Sequence, residues 1–263
     1  MIYKTITNDT DATNLQSDLD TLSDWAQTWQ MRFNVEKCYV MKITHSKKTH
    51  NHTYTLCNNI LKETESHTYL GIKFSNDMKW NSHIHSTVAK GNRVLGFVRR
   101  NLHSCTEDIK VLAYTSLVRP ILEYGSTIWD PYTDENISHI ESIQRRAARF
   151  VKNNYSPRAS VTDMLHSLEW NQLADRRRRA RLSTFHKGYY GYLAIPIQTI
   201  LRPTTRTTRR SHNRAFTEIS TSKDCYKYSF LPRTVKDWNS LPEYLTNIED
   251  PNQFKKQLLM HSS

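Results

Sequence analysis

Ser229-Phe230-Leu231-Pro232-Arg233-Thr234-Val235-Lys236-Asp237-Trp238-Asn239-Ser240-Leu241-Pro242 is the stretch on which the reading of this chain turns. Phe230, Leu231, Val235, Trp238 and Leu241 are apolar anchors punctuated by two prolines. A rigid aromatic such as Trp238 removes a large area from water when it is buried, so the stretch reads as a packing element. Three upstream blocks stand out beside it. They are Leu15-Gln16-Ser17-Asp18-Leu19 through Lys37-Cys38, then Tyr69-Leu70-Gly71-Ile72, then Arg119-Pro120-Ile121-Leu122-Glu123-Tyr124-Gly125 followed by Ile128-Trp129.

Residues 10–30 carry Leu15, Leu19, Leu22, Ala26 and Trp29 at spacings of 4, 3, 4 and 3, the apolar stripe of an amphipathic helix. Asp9 or Thr10 is the expected N-cap. Asp18, Asp20 and Asp24 do not converge at those offsets and read as a solvated face, not as metal ligands. Alternation over Val35 to Thr44 predicts a strand. His45 to Asn59 is polar and predicts a loop, and its His45, His50 and His52 lack the Cys or acid partners of a metal site. Two short strands follow, with Gly71 between them suited to a positive φ or a close backbone approach.

From Trp80 the pattern becomes helical. Trp80, Ile84, Val88, Val94, Leu95 and Val98 supply the apolar face, Lys90, Arg93, Arg99 and Arg100 the charge, and Gly91 and Gly96 weaken the helix. A second helix is expected from Glu107 to Val118, capped by Thr106 and ended by Pro120. A third is expected from Glu135 to Val151, with Ile137, Ile140, Ile143, Ala147 and Phe150 inward and Gln144, Arg145, Arg146, Arg149 and Lys152 on the other sides. Asn171 to Phe185 reads in part as a helix holding Arg176, Arg177, Arg178 and Arg179, some of which could pair with Glu169 or Asp175. Thr204 to Arg214 has no apolar period and predicts an exposed basic linker. The tail is expected to pack through Phe216, Tyr226, Phe230, Trp238 and Leu241 and to end in a short helix near Pro251.

The charge is unevenly placed. The 263-residue chain has a formal net charge of +12, yet residues 145–214 alone hold 16 Arg and Lys against 3 acids. Fourteen of those 16 are Arg, whose planar fork suits phosphate. A concentrated basic field favours a polyanion through counterion release. The four cysteines form no CxxC pair, so neither a disulfide framework nor a zinc finger is indicated and a reducing compartment fits. The Arg176–Arg179 run also reads as a nuclear-localisation signal. The expected location is therefore intracellular, in the nucleus or the cytoplasm, with no signal peptide and no membrane span.

Taken in order and approximate spacing, the four blocks resemble the C-terminal half of a non-LTR (LINE-type, jockey-like) retrotransposon reverse transcriptase. The resemblance implies an α+β, predominantly helical fold. Residues 1–78 would be a small palm remnant with a primer-grip-like hairpin, 79–155 a helical thumb-like domain, 156–215 a basic helical and linker region, and 216–263 a C-terminal packing tail. It places Lys37 near incoming phosphates and Tyr69, Leu70 and Gly71 at the primer end. On the thumb-like body, Lys90, Arg93, Arg145, Arg146 and Arg149, with Arg176–Arg179 beyond, would hold template–primer, as RNA, RNA–DNA hybrid or DNA.

The family's aromatic-Ala-Asp-Asp block has no counterpart in these residues. The resemblance thus implies a truncated polymerase with no catalytic residue and no metal ligand of its own, with Mg²⁺ expected only for an intact enzyme. Two alternatives remain: the C-terminal part of an active polymerase whose N-terminal half is encoded upstream, or a non-catalytic structural or protein-interaction module. Polymerases place two metals on carboxylates to stabilise the attacking and leaving oxygens. The purified chain is therefore expected to give no templated extension of a primed RNA with Mg²⁺ or Mn²⁺; a dideoxynucleotide-sensitive product would contradict this.

Overall fold

A computed structural model describes residues 1–44, 46, 51–205 and 212–261. The chain forms two compact units, Met1–Ser82 and His83–Ser263. Helices dominate, with a few short strands, so the fold is α+β. Among the described residues no helix is long and apolar enough to cross a membrane.

The first unit begins with α1 (Asp9–Thr28). Its cap is Asn8, one residue before the expected Asp9 and two before Thr10. The Asn8 side chain accepts the Asp11 amide at 2.8 Å, and the Asp11 carboxylate accepts the amides of Thr7 and Asn8. This reciprocal box satisfies donors that the first helical turn cannot. Ala12 and Ala26 are buried and Leu15, Leu19 and Leu22 half-buried, but Trp29 lies at the helix end and is 67% exposed. Asp18, Asp20 and Asp24 are exposed. Gln16 ties α1 to the strands: its Oε1 accepts the Thr55 amide at 2.9 Å and its Nε2 donates to the Thr55 carbonyl at 3.0 Å.

Six strands follow as three pairs. Parallel β1 (Tyr39–Val40) and β4 (Lys62–Glu63) make one, antiparallel β2 (Thr55–Leu56) and β3 (Asn59–Ile60) the second, and antiparallel β5 (Ser66–Tyr69) and β6 (Ile72–Ser75) the third. The strand expected over Val35 to Thr44 is reduced to two residues, because Val35–Lys37 forms a 3₁₀ turn and the partner offers only Lys62 and Glu63. Both tight hairpins use two consecutive positive φ values, Cys57 (48°) with Asn58 (60°) and Leu70 (48°) with Gly71 (78°). That geometry matches the twist of paired strands, and Gly71 meets it without the steric cost borne by Leu70. His52 packs on Tyr54 at 4.9 Å between ring centroids; His45 and His50 lie outside the described residues. Trp80 packs edge-on to Phe74 and precedes the next helix instead of belonging to its stripe.

The second unit is built from α2 (Asn81–Asn101), α3 (Glu107–Ala113), α4 (Arg119–Glu123), α5 (Ser126–Trp129), α6 (Asp134–Val151), α7 (Val161–Ser167), α8 (Leu173–Tyr189), α9 (Ile197–Ile200), α10 (Asp224–Lys227), α11 (Phe230–Asn239), α12 (Glu243–Thr246) and α13 (Pro251–His261). In α2 the buried face is His83, Ile84, Thr87, Gly91, Leu95 and Val98, with Val88 and Val94 at its margin. Gly91 is a close-packing point, not a weak one. A Cβ there would stand 2.8 Å from Leu122 Cδ2 and 3.8 Å from Ile143 Cγ2.

Pro120 does not end the helix. A wide π turn over Tyr114–Val118 absorbs the break, and the proline sits in the first turn of α4, where its missing amide costs no helical bond. Thr106 occupies the cap position of α3, but its side chain makes no capping hydrogen bond. Gln144 faces inward on α6. Its Oε1 accepts from Tyr114 Oη at 3.1 Å and its Nε2 donates to the Asn171 carbonyl at 3.0 Å, which makes a buried amide tolerable.

Helix α8 contacts α5, α6, α9, α11 and α13. Its Leu182 and Phe185 join Phe216, Val235, Trp238, Leu241, Leu245 and Phe254 in one core cluster. Tyr226, expected in that packing, is instead 50% exposed. Trp238 donates Nε1–H to the Arg214 carbonyl at 2.9 Å, and its own carbonyl pairs with His212 Nε2 at 3.0 Å. The end of the expected basic linker is therefore clamped to the tail, while residues 206–211 lie outside the described set. His186 stacks on Phe254 and bonds the Ile248 carbonyl through Nε2; burial holds its pKa below the usual value.

Trp238 is fully buried at the centre of this cluster. Truncating a buried aromatic costs about 3–5 kcal/mol. Trp238→Ala is expected to lower the unfolding free energy of the second unit, measured in urea, by that amount, and parent-like unfolding would detach the tail from the core.

Candidate nucleic-acid interface

The arginines of this chain divide into two populations. The first is internal and is built by α8. Arg177 and Arg181, 1% and 2% exposed, lie one turn apart and both reach Asp130. Arg177 Nε stands 2.7 Å from Oδ1, and Arg181 Nη1 2.9 Å from Oδ2. Arg181 Nη2 also meets Asp237 Oδ2 at 2.7 Å, and Arg178 Nε meets Asp237 Oδ1 at 3.2 Å. Arg233 adds a third guanidinium to Asp130, at 3.2 Å, and donates to the carbonyls of Asp130 and Pro131. Arg176 forms a forked pair with Glu123.

The pKa values follow the geometry. The hydrogen bond from Arg176 to Glu123 raises the Arg176 pKa, while burial lowers that of Arg181 against the pull of Asp130. Burial also raises the Glu141 carboxyl, opposed by the Ala174 amide that it accepts at 2.9 Å. Glu141 thereby places a carboxylate at the N-terminus of α8, where helix dipoles favour negative charge.

The Arg176–Arg179 block is thus partnered largely from within. The partners are Glu123, Asp130 and Asp237, not the Glu169 or Asp175 suggested by proximity in sequence. Arg177 is buried, and its Nη1 and Nη2 have no hydrogen-bond partner among the described residues. Arg179 is half-buried beside Asn171, whose amide oxygen, oriented toward it, accepts from Nη2 at 3.2 Å and Nη1 at 3.3 Å.

The second population faces solvent. Lys90, Arg93, Arg99 and Arg100 are exposed on α2, and Arg145 and Arg146 on α6. Among the described residues, none of these six has a carboxylate within ion-pair distance. Arg146 bonds only Ser142, through its carbonyl and Oγ. Arg149 is half-buried and donates to the Ser156 carbonyl at 3.0 Å, which fixes the loop after α6. In the first unit Lys37 is exposed on its 3₁₀ turn, and Tyr69, Leu70 and Gly71 are exposed at the β5–β6 tip. Tyr39 packs on His67 at 4.9 Å, setting the strand after Lys37 beside the stem of that hairpin.

A groove of about 480 Å³ lies where the C-terminal ends of α2 and α6 meet. Arg99, Arg100, His103, Asn153 and Tyr155 line it, and the Arg99 guanidinium lies over the Tyr155 ring at 5.6 Å from its centroid. The sequence reading counted Arg99 and Arg100 only as helix charge and passed over His103, Asn153 and Tyr155. The signal was there as a doublet of Arg followed by His and, half a helix pair later, Asn-Asn-Tyr, but no local period joins the two. Among the described residues no three His, Cys, Asp or Glu side chains gather into a metal-binding group.

No family model matches the chain, and no solved structure matches it. Two curated proteins do. The chain is similar to RNA-directed DNA polymerases of non-LTR retrotransposons. It is 24% identical over 140 residues to the RNA-directed DNA polymerase from mobile element jockey of Drosophila melanogaster, over 51% of this chain and 15% of that protein. It is 29% identical over 147 residues to the probable RNA-directed DNA polymerase from transposon BS of the same species, over 53% of this chain and 16% of that protein. The match therefore spans only a small part of either polymerase.

Whatever the outer face holds, the inner charges set whether it can form. Removing one partner of a buried ion pair costs about 3–5 kcal/mol, because the other charge stays buried. Asp130→Ala is expected to destabilise the second unit by that order in urea unfolding. Glu123→Ala should cost clearly less, since the Arg176–Glu123 pair keeps 33% and 25% side-chain exposure and is screened by water. Equal losses would remove Asp130 from the centre of the network.

Proposed function

We propose that this chain is a nucleic-acid-gripping part of a non-LTR retrotransposon reverse transcriptase, one that binds template–primer without itself carrying out polymerisation. Residues 1–78 act as a palm remnant whose β5–β6 tip serves as a primer grip, and the helical residues 79–155 act as the thumb. The nucleotidyl-transfer centre and its Mg²⁺ would lie outside these residues, in the N-terminal half of an intact polymerase.

One observation carries the binding part of this reading. The cations on the outer faces of α2 and α6 lack internal carboxylate partners among the described residues, while the densest arginine block is engaged inside. Unpaired surface Arg and Lys are the groups that can displace counterions from a phosphate backbone. The similarity to two RNA-directed DNA polymerases supplies the ligand class. A second reading, a protein-interaction module, rests on Ile109, Leu112 and Leu117, which are 47%, 65% and 48% exposed along α3 and the π turn.

Binding to structured RNA or hybrid duplex is expected to be tolerant of sequence and to fall linearly as log affinity against log salt. Replacing Lys90, Arg93, Arg145 and Arg146 with Ala should flatten that slope by about one unit per lost phosphate contact. A slope unchanged in this variant would move the contact surface elsewhere, and salt-independent failure to bind would favour the protein-interaction module.

A further inference from the structure

We infer that the groove between the C-terminal ends of α2 and α6 holds one unpaired nucleotide of a single strand, with its base stacked on Tyr155 and its phosphate at Arg100. This deepens the reading of the outer face as a nucleic-acid surface and rests on it. Three features of the groove support it.

The first is its chemistry. Tyr155 is 50% exposed, so a ring that could have joined the core instead faces solvent. Arg99 lies over that ring at 5.6 Å, which orients the aromatic face and adds a cation beside it. No carboxylate lines the groove. The two arginines in the last turn of α2 also offset the partial negative charge of that helix end, which would otherwise repel an anion. His103 and Asn153 offer ring-nitrogen and amide groups for a base edge or ribose hydroxyl.

The second is its size and floor. About 480 Å³ suits a ligand of mononucleotide size. Gly96 forms part of the floor, and the only atom near a Cβ built there would be Arg100 Nη1 at 3.5 Å. That is ordinary van der Waals distance, so the floor is open at Gly96 and the Arg100 guanidinium lies along the helix beside it. A duplex keeps its base faces stacked inside and cannot present one to Tyr155, whereas an unpaired strand can.

The third is the approach. Lys90, Arg93, Phe97 and Arg100 fall on one exposed face of α2, over about 15 Å of helix at 1.5 Å per residue. Phe97 is 57% exposed between two arginines of that face. Cations interleaved with an exposed aromatic make a track for a strand whose bases alternate with phosphates.

The test measures fluorescence anisotropy of the full chain with a short single-stranded oligoadenylate, its deoxy counterpart, and a blunt RNA duplex of the same length, at one salt concentration. Tyr155→Ala is expected to weaken single-strand binding by roughly 5- to 100-fold, the factor expected for one lost base stack, with duplex binding unchanged. Tyr155→Phe should keep the single-strand affinity. A ribose preference in the wild type would assign His103 or Asn153 to the 2′-hydroxyl and support the site, and equal affinity for the two strands would support it as a stacking and phosphate site. An unchanged single-strand affinity in Tyr155→Ala, or an equal loss on strand and duplex, would overturn the proposal. So would a wild type that binds duplex but not single strand, and that result would leave the broader reading standing. Binding to none of the three probes would overturn both.

Discussion

The contact of Asp130 with Arg177 and Arg181 is the constraint on which the second unit depends. A carboxylate 6% exposed and two guanidiniums at 1% and 2% can stay in a protein interior only as a set. Each would otherwise shed its hydration for nothing, a penalty of several kcal/mol per ion. Such a pair is weak as a source of net stability, since well-packed apolar groups can do as well. It is strong as a specifier, because few arrangements of the chain satisfy it. Asp130 directly follows Trp129, the arginines belong to α8, and Arg233 and Asp237 come from α11. Three segments far apart in sequence are thus forced into one place, and the apolar cluster around Phe185 and Trp238 packs beside it.

This internal use of charge shapes the outer surface. Five guanidiniums, from Arg176, Arg177, Arg178, Arg181 and Arg233, meet the carboxylates of Glu123, Asp130 and Asp237. Four of the 16 basic residues of 145–214 are therefore engaged where they stand. Exposed cations without a carboxylate partner among the described residues stand on α2 and α6, two long helices that approach each other where Gly91 meets Leu122 and Ile143.

The elements with long, simple periods were legible in advance. The bounds of α1 and α6 fall within one or two residues of where their apolar spacing puts them. The positive φ of Gly71 and the burial of Trp238 also follow from residue type and neighbours. The failures share a cause. The strand over Val35 to Thr44 shrank because a strand needs a partner, and alternation does not report one. Pro120 was passed through because a π turn relieved its clash. Gln144 went inside because Tyr114 and the Asn171 carbonyl waited there.

The sequence by itself determined that this chain is mostly helical, strongly basic and built around large aromatics, because helix period, net charge and side-chain size are local or additive properties. The blocks that carry the polymerase resemblance, such as Arg119–Trp129 and Ser229–Pro242, were readable for the same reason. Only the tertiary structure decided which arginines face outward. No residue within four of Arg177 is the carboxylate it pairs with, so its burial is not written in its neighbours. The difference is the carboxylate that folding brings from 47 residues away. The same holds for the groove at Tyr155, a residue of the loop after α6 whose partner Arg99 comes from α2.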